Sequence, residues 1–287
     1  MVLAAFITTC FVIGGVGAWH LRRATQPALA ARMLKLAVAF GAIAVPLQVL
    51  VGDQHGLNTL AYQPIKVAAM EAHWRAGAPG EGVPLVLFAL PNEKQERNDY
   101  EIAVPRLGSV ILTHSLDGEI KPLTAVVPED RPPVQPVFFA FRVMVGLGLL
   151  MLAVVAASAL QWWRGRLLQT RWLLDAWRWL SPSGFIALLA GWWVTEFGRQ
   201  PWVVYGLLRT RDAVSPNLTA GQVAASLAGY ASVYAIIFGA GIWYLLRLLR
   251  RGPQPHEPPP QPEGGLKTPA RPLSAAGESD IAQGGAA

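Results

Sequence analysis

Five apolar segments separated by polar connections dominate the pattern of this chain. They cover residues 2–19, 37–51, 137–160, 185–197 and 223–249. A helix needs about 20 residues to cross a bilayer. The first, third and fifth segments meet this requirement, whereas the second and fourth need flanking residues from Met33 and from Leu180. The pattern therefore predicts an all-α integral membrane protein with about five transmembrane helices.

Basic residues cluster at one end of the predicted spans. The three groups are Arg22, Arg23, Arg32 and Lys35; Arg164, Arg166, Arg171 and Arg178; and Arg247, Arg250 and Arg251. An odd number of spans puts all three groups on one side, which the positive-inside rule makes cytoplasmic. The N-terminus then lies outside, with loops 52–136 and 198–222. No basic stretch precedes the first segment, which favours a membrane helix over a signal peptide.

This topology predicts four regions: two transmembrane helices (1–51), a periplasmic loop (52–136), three transmembrane helices (137–251) and a tail (252–287). Within the loop, helix-forming residues predict a short helix over 63–74. Apolar runs at 85–90 and 100–104, bounded by prolines, predict a hairpin. The tail is rich in proline, glycine and serine, which predicts a disordered cytoplasmic segment.

Composition agrees with a membrane protein. The chain is 53% hydrophobic and 15% charged, with a mean hydropathy of +0.34, which is too apolar for an ordinary soluble domain. The net charge of +6 comes from residues at helix ends, so it does not indicate nucleic-acid binding. Cys10 is the single cysteine, which excludes an internal disulfide and a cysteine metal cluster.

The fourth apolar segment ends in an ionisable pair, Glu196 and Arg199. Charged residues are costly at the end of a membrane helix, so the pair suggests a functional site. Because the two are three residues apart, they could instead simply neutralise each other. In the functional interpretation, Glu196 faces a haem iron or a proton path, and the Arg199 fork suits carboxylates such as haem propionates.

Other candidate residues are ambiguous by themselves. Met144 in the third segment is most simply a packing residue, or else an axial haem ligand. Arg142 could pair with a propionate or extend to the headgroups. Lys66 and Glu71 are five apart and resemble a solvated helix face. Trp192 could lie in the core or at the headgroup level.

Four stretches, in order, resemble subunit I, the large haem-bearing subunit of the cytochrome bd-type quinol oxidases. They are Gly52 and Asp53 leading to 66–74, then 88–105, 140–144 and 191–202, which contains the Arg-Gln-Pro-Trp run. The resemblance covers about 2–251, and its last motif is highly specific. It implies that loop 52–136 is a quinol-binding Q-loop of the short type.

The resemblance also implies roles for single residues. Lys66 and Glu71 match the positions of quinol oxidation. Met144 matches an axial ligand of a low-spin haem b, and Glu196 the ligand of a high-spin haem b close to haem d. Arg142, Arg199 and Trp192 match positions near the haems. His73 stands where some relatives have an acid.

The implied activity is a quinol:oxygen oxidoreductase in the bacterial inner membrane. Quinol is oxidised on the outer side, and electrons pass through the haems b to haem d, where O2 is reduced to water and a membrane potential is built. The implied partners are oxidase subunit II, a small single-helix subunit, the N-terminal half of subunit I, and membrane lipid.

One departure from the family concerns length. The family's subunit I has a longer N-terminal half, which supplies the histidine ligand of haem d and the histidine opposite Met144. The leading interpretation is a gene model started at an internal methionine, followed by a split gene and then a degenerate fragment. A non-catalytic membrane fragment and an ion-coupled transporter using Glu196 and Arg199 are the competing functional hypotheses.

Overall fold

The computed structural model describes residues 1–76 and 80–251. The predicted tail over 252–287 lies outside the described residues. The chain forms two compact units, Met1–Asn217 and Leu218–Ala287. The described part of the second unit contains one long helix, and each unit is considered by itself below.

Most described residues are helical. The helices are α1 (Val2–Arg22), α2 (Pro27–Tyr62), α3 (Pro64–Glu71), α4 (Leu107–Thr113), α5 (Val134–Trp163), α6 (Arg171–Trp179), α7 (Ser183–Gly198) and, in the second unit, α8 (Ala220–Arg251). The described residues also form two antiparallel hairpins, β1 (Leu85–Asn92) with β2 (Arg97–Val104) and β3 (Trp202–Val204) with β4 (Leu208–Arg209).

The five predicted apolar segments all form helices, and four of these are long and apolar enough to cross a membrane: α1, α2, α5 and α8. The fourth segment forms α7, which has 16 residues and a length of about 24 Å. This is shorter than the roughly 30 Å hydrocarbon layer. The prediction of a mostly helical membrane protein is therefore confirmed, and α7 is the shortest of the five helices that the predicted apolar segments form.

Helix α2 is longer than the apolar pattern predicts. We expect the second segment to close at Gly52 and Asp53, but the helix continues to Tyr62 and has 36 residues. The polar residues after Val51 are compatible with helix, and neither glycine in this stretch breaks it. The helix ends where Pro64 follows Gln63, because the residue before a proline disfavours helical angles.

The interior of the first unit forms where α1, α2, α5 and α6 pack together. Trp177 of α6 is fully buried and stacks on Phe11 of α1, with ring centroids 4.7 Å apart. Its indole Nε1 donates to Ser158 Oγ of α5 at 2.8 Å, which satisfies both polar groups. Gly14 allows α1 to approach this ring, since a small residue lets helices pack closely.

The connection between α2 and α5, residues 63–133, is termed here the α2–α5 segment. The predicted short helix is confirmed as α3, and the predicted hairpin is confirmed as β1 and β2. The second hairpin, β3 with β4, was not expected from the sequence. It follows α7 directly, and its register pairs Trp202 with Arg209.

Gly14→Ala tests the packing of α1 on α6. A Cβ at this position would overlap the Trp177 ring and lie 3.0 Å from Cβ of Ala37. A rigid ring cannot yield, so we expect a loss of about 1–3 kcal/mol in unfolding free energy. Thermal denaturation of the purified protein in detergent measures it. Gly148→Ala on α5 is the control, because no atom lies within 4 Å of the added methyl, and equal melting temperatures would contradict the packing argument.

Candidate functional site

Arg142 of α5 joins the α2–α5 segment to the helix bundle. Its Nη2 donates to Oε2 of Glu71 on α3 at 2.7 Å, its Nε donates to the Val86 carbonyl at 2.8 Å, and its Nη1 donates to the Met70 carbonyl at 3.1 Å. The Glu71 side chain is 3% exposed and that of Arg142 is 19% exposed. The Arg142 guanidinium therefore links the end of α3 and strand β1 to α5 by hydrogen bonds.

Glu71 is a carboxyl with opposing electrostatic influences. Burial raises its pKa, and the adjacent Arg142 lowers it by charge and by hydrogen bonding. Burial is the larger effect, so the pKa lies above its usual range. Such a carboxyl accepts a proton more readily than an exposed glutamate.

His73 is buried next to this pair. Its Nε2 lies 2.9 Å from the Pro84 carbonyl and donates to it, while Nδ1 has no hydrogen-bond partner among the described residues. Burial lowers the pKa of His73 to about 4, and the nearby Arg142 charge contributes in the same direction. The imidazole is therefore neutral at pH 7 and links the end of α3 to the start of β1.

Lys66, on the same short helix, contacts a different helix. Its aliphatic stem lies on Gly198 of α7. Burial lowers the pKa of Lys66; the Glu196 charge opposes this shift and the Arg199 charge adds to it. The sequence places Lys66 and Glu71 on different stripes of α3, and the structure directs them to α7 and α5.

Glu196 and Arg199 form an ion pair with 2.6 Å between Oε2 and Nη2. Their side chains are 36% and 47% exposed. The two charges therefore neutralise each other in this structure, as their three-residue spacing allows, and both side chains stay partly exposed. Helix α7 ends two residues after Glu196, at Gly198.

Met144 lies on the side of α5 that packs against α7. A Cβ added at Gly191 would be 2.9 Å from Met144 Sδ, so the thioether lies directly on the α7 backbone. Trp192, the next residue on α7, is 52% exposed. Thioether and carboxylate groups can both ligate haem iron, and here α5 supplies one and α7 the other.

Three features of this region were not found from the sequence. Gly191 and Gly198 are contact points for Met144 and Lys66, and an ion pair of 2.6 Å joins Arg209 of β4 to Asp130. The partners in each case lie far apart along the chain, and a single sequence gives no signal that pairs them.

These observations define a class: an integral membrane protein in which the α2–α5 segment brings a buried acid and a lysine onto two apolar helices. The chain belongs to the cytochrome bd terminal oxidase subunit I family, whose model matches residues 1–253. This family implies haem cofactors, and its members are subunits of membrane-bound oxidoreductases.

Relatives and a solved structure agree. The chain is 29% identical to subunit 1 of the cytochrome bd-II ubiquinol oxidase of Escherichia coli (strain K12), over 92% of this chain and 64% of the relative. It is 31% identical to cytochrome bd ubiquinol oxidase subunit 1 of Bacillus subtilis (strain 168), over 88% and 55%. The bd oxidase structure from Geobacillus thermodenitrificans matches with a TM-score of 0.75 and 28% identity, over 88% and 56%. The chain thus spans roughly half to two thirds of the length of these proteins.

Arg142→Ala tests the attachment of the α2–α5 segment. It leaves Glu71 buried without its counter-charge, a change that typically costs about 3–5 kcal/mol. We expect much faster hydrogen exchange of the α3 amides. The matched control is Arg97→Ala, which removes the more exposed ion pair with Asp99 and has little effect by this argument. Equal exchange in the two variants would show that Arg142 does not hold the segment.

The lowered pKa of His73 makes the stability of the segment depend on pH. A depressed pKa contributes stability above the unfolded value of 6.5, and this is lost as pH falls towards about 4. In that window, the equilibrium constant for local opening of the segment should increase by up to about tenfold for each unit by which the pH falls.

His73→Gln keeps a donor for Pro84 and removes this titration. The raised pKa of Glu71 makes the segment more stable as the pH falls, and it does so in both proteins. The difference in pH-dependent stability between wild type and variant therefore reports His73 alone. Hydrogen exchange of the segment, corrected for intrinsic rates, measures it. An identical pH dependence in the two proteins would rule out His73 as the titrating group.

Proposed function

We propose that this chain provides the quinol-oxidising and haem b-binding part of a bd-type oxidase that oxidises quinol and reduces O2 to water. The main support is the placement of Lys66 and Glu71. The short helix α3 directs them to the two helices that contain Glu196 and Met144.

Quinol oxidation releases two protons and two electrons, and two quinols reduce one O2 to two waters. Glu71 is the proposed proton acceptor, because burial raises its pKa while its ion pair with Arg142 fixes its position. Lys66 is the proposed partner of the quinol oxygen. Its lowered pKa and half-buried position suit a donor to a polar head group.

Met144 would hold a low-spin haem b and Glu196 a high-spin haem b. When bound, these haems carry electrons towards haem d and O2. Trp192 on α7 and Arg199, the residue that follows α7, flank Glu196 in the sequence and would contact the high-spin haem. Arg142 donates hydrogen bonds to Glu71, Met70 and Val86. Its proposed role is therefore to hold Glu71 of the quinol site against α5, the helix that contains the proposed low-spin haem ligand Met144.

The proposal extends to assembly and topology. The histidine ligand of haem d and the histidine opposite Met144 would come from an N-terminal half of subunit I, and subunit II and a small single-helix subunit would complete the oxidase. Regions 1–51 and 137–251 would span the bacterial inner membrane, with the N-terminus of this chain outside. Region 52–136 would form the periplasmic Q-loop, and 252–287 a cytoplasmic tail.

Reduced-minus-oxidised visible spectra of membranes containing the complete oxidase test the ligand assignment. Met144→Leu should abolish the low-spin haem b signal, and Glu196→Ala the high-spin signal, because each removes an axial ligand. Met151→Leu is the matched control on α5, where the methionine is buried in the apolar core. Asp175→Ala is the matched control for Glu196, since it removes a similarly exposed ion pair with Arg22. Wild-type spectra in both ligand variants would exclude these ligands.

A further inference from the structure

Two glycines on α7 are each in contact with a side chain from another helix. Gly191 and Gly198 are seven residues apart, which is about two helical turns, so they lie on one face. Met144 of α5 contacts the first and Lys66 of α3 contacts the second. The same face of α7 thus contacts one residue proposed for haem ligation and one proposed for quinol binding.

We propose that Gly198 is a positioning residue for Lys66, because the lysine stem packs in the space that a side chain at position 198 would occupy. The inference rests on the proposed function of Lys66 as a quinol-binding residue. A Cβ at Gly198 would lie 3.0 Å from both Cε and Cγ of Lys66 and 3.3 Å from Cδ. These three distances are shorter than ordinary carbon–carbon contacts, so the stem can occupy its present position only while residue 198 has no Cβ, and an added methyl would require the stem to shift.

The contact also fixes where the Lys66 charge lies. Glu196 is two residues before Gly198 and Arg199 is the residue after it, and the charges of these two side chains act on the ammonium with opposite sign. A shift of the stem along or away from α7 changes the balance between them. Gly198 therefore determines both the reach of Lys66 and the electrostatic surroundings of its amine.

An added methyl should displace Lys66 and leave α7 intact. A lysine stem has several rotatable bonds and can yield by a few tenths of an ångström, unlike an aromatic ring or a backbone segment. In Gly198→Ala we expect the amine to move outward and become more accessible. The rate of Lys66 acylation by a water-soluble N-hydroxysuccinimide ester should rise at least about threefold, and the quinol KM should rise by a similar factor with a smaller change in kcat.

The experiment uses the complete oxidase in membranes, with peptide mass spectrometry for acylation and steady-state kinetics with quinol. Gly191→Ala is the control on the same face of α7, and it should alter the low-spin haem b spectrum without changing Lys66 acylation. Gly56→Ala in α2 is a control with no atom within 4 Å of the added methyl, and it should change neither. Unchanged Lys66 acylation in Gly198→Ala would overturn the proposal.

Lys66→Ala separates this inference from the proposed function. If Lys66→Ala leaves the quinol KM unchanged while Gly198→Ala still raises Lys66 acylation, the positioning contact stands and the quinol role of Lys66 fails. The double variant Lys66→Ala/Gly198→Ala should have the same KM as Lys66→Ala alone. Should Gly198→Ala fail to assemble, assembly of the double variant would support the conflict between stem and methyl. Failure of both would show that Gly198 is needed for another reason, which overturns the proposal.

Discussion

The hydrogen bonds of Arg142 are the interaction on which the candidate site depends. A guanidinium presents several donors in a fixed plane, and here they reach the Glu71 carboxylate and the carbonyls of Met70 and Val86. Burial makes each of these acceptors costly to leave unpaired. The α2–α5 segment also packs on the bundle through a buried apolar cluster, in which Ala68 and Ala69 of α3 lie with Val137 and Phe138 of α5. This cluster and the polar attachment together decide where α3 lies.

Helix α3 then acts as a junction between two apolar helices, α5 and α7. Its eight residues place Glu71 against α5 and Lys66 against α7, because a five-residue spacing turns two side chains to different faces. The consequence is that an acid with a raised pKa and a lysine with a lowered pKa lie near the two helices that contain Met144 and Glu196. A chain with the same residues on a freely moving loop would lack this arrangement.

The sequence predicted the long helices, the short helix and the first hairpin well, because each depends on local periodicity or on prolines at its ends. It placed the end of the second apolar segment too early, since the apolar run stops at Val51 while helix α2 continues to Tyr62. It did not predict the second hairpin, whose strands have three and two residues. The orientation of the helices, the region boundaries and the residue roles stay predictions.

The sequence by itself determined the kind of protein: its apolar segments require membrane helices, and its Arg-Gln-Pro-Trp and related stretches identified the family that the comparisons confirm. Only the tertiary structure decided the pairings. Arg142 meets Glu71 across 71 residues, and Lys66 meets Gly198 across a still longer separation. Such contacts depend on how helices pack, and the local pattern around each residue contains no record of its partner. For the same reason, nothing in the sequence around Gly198 indicates that Lys66 packs against it, and only the tertiary structure shows this contact.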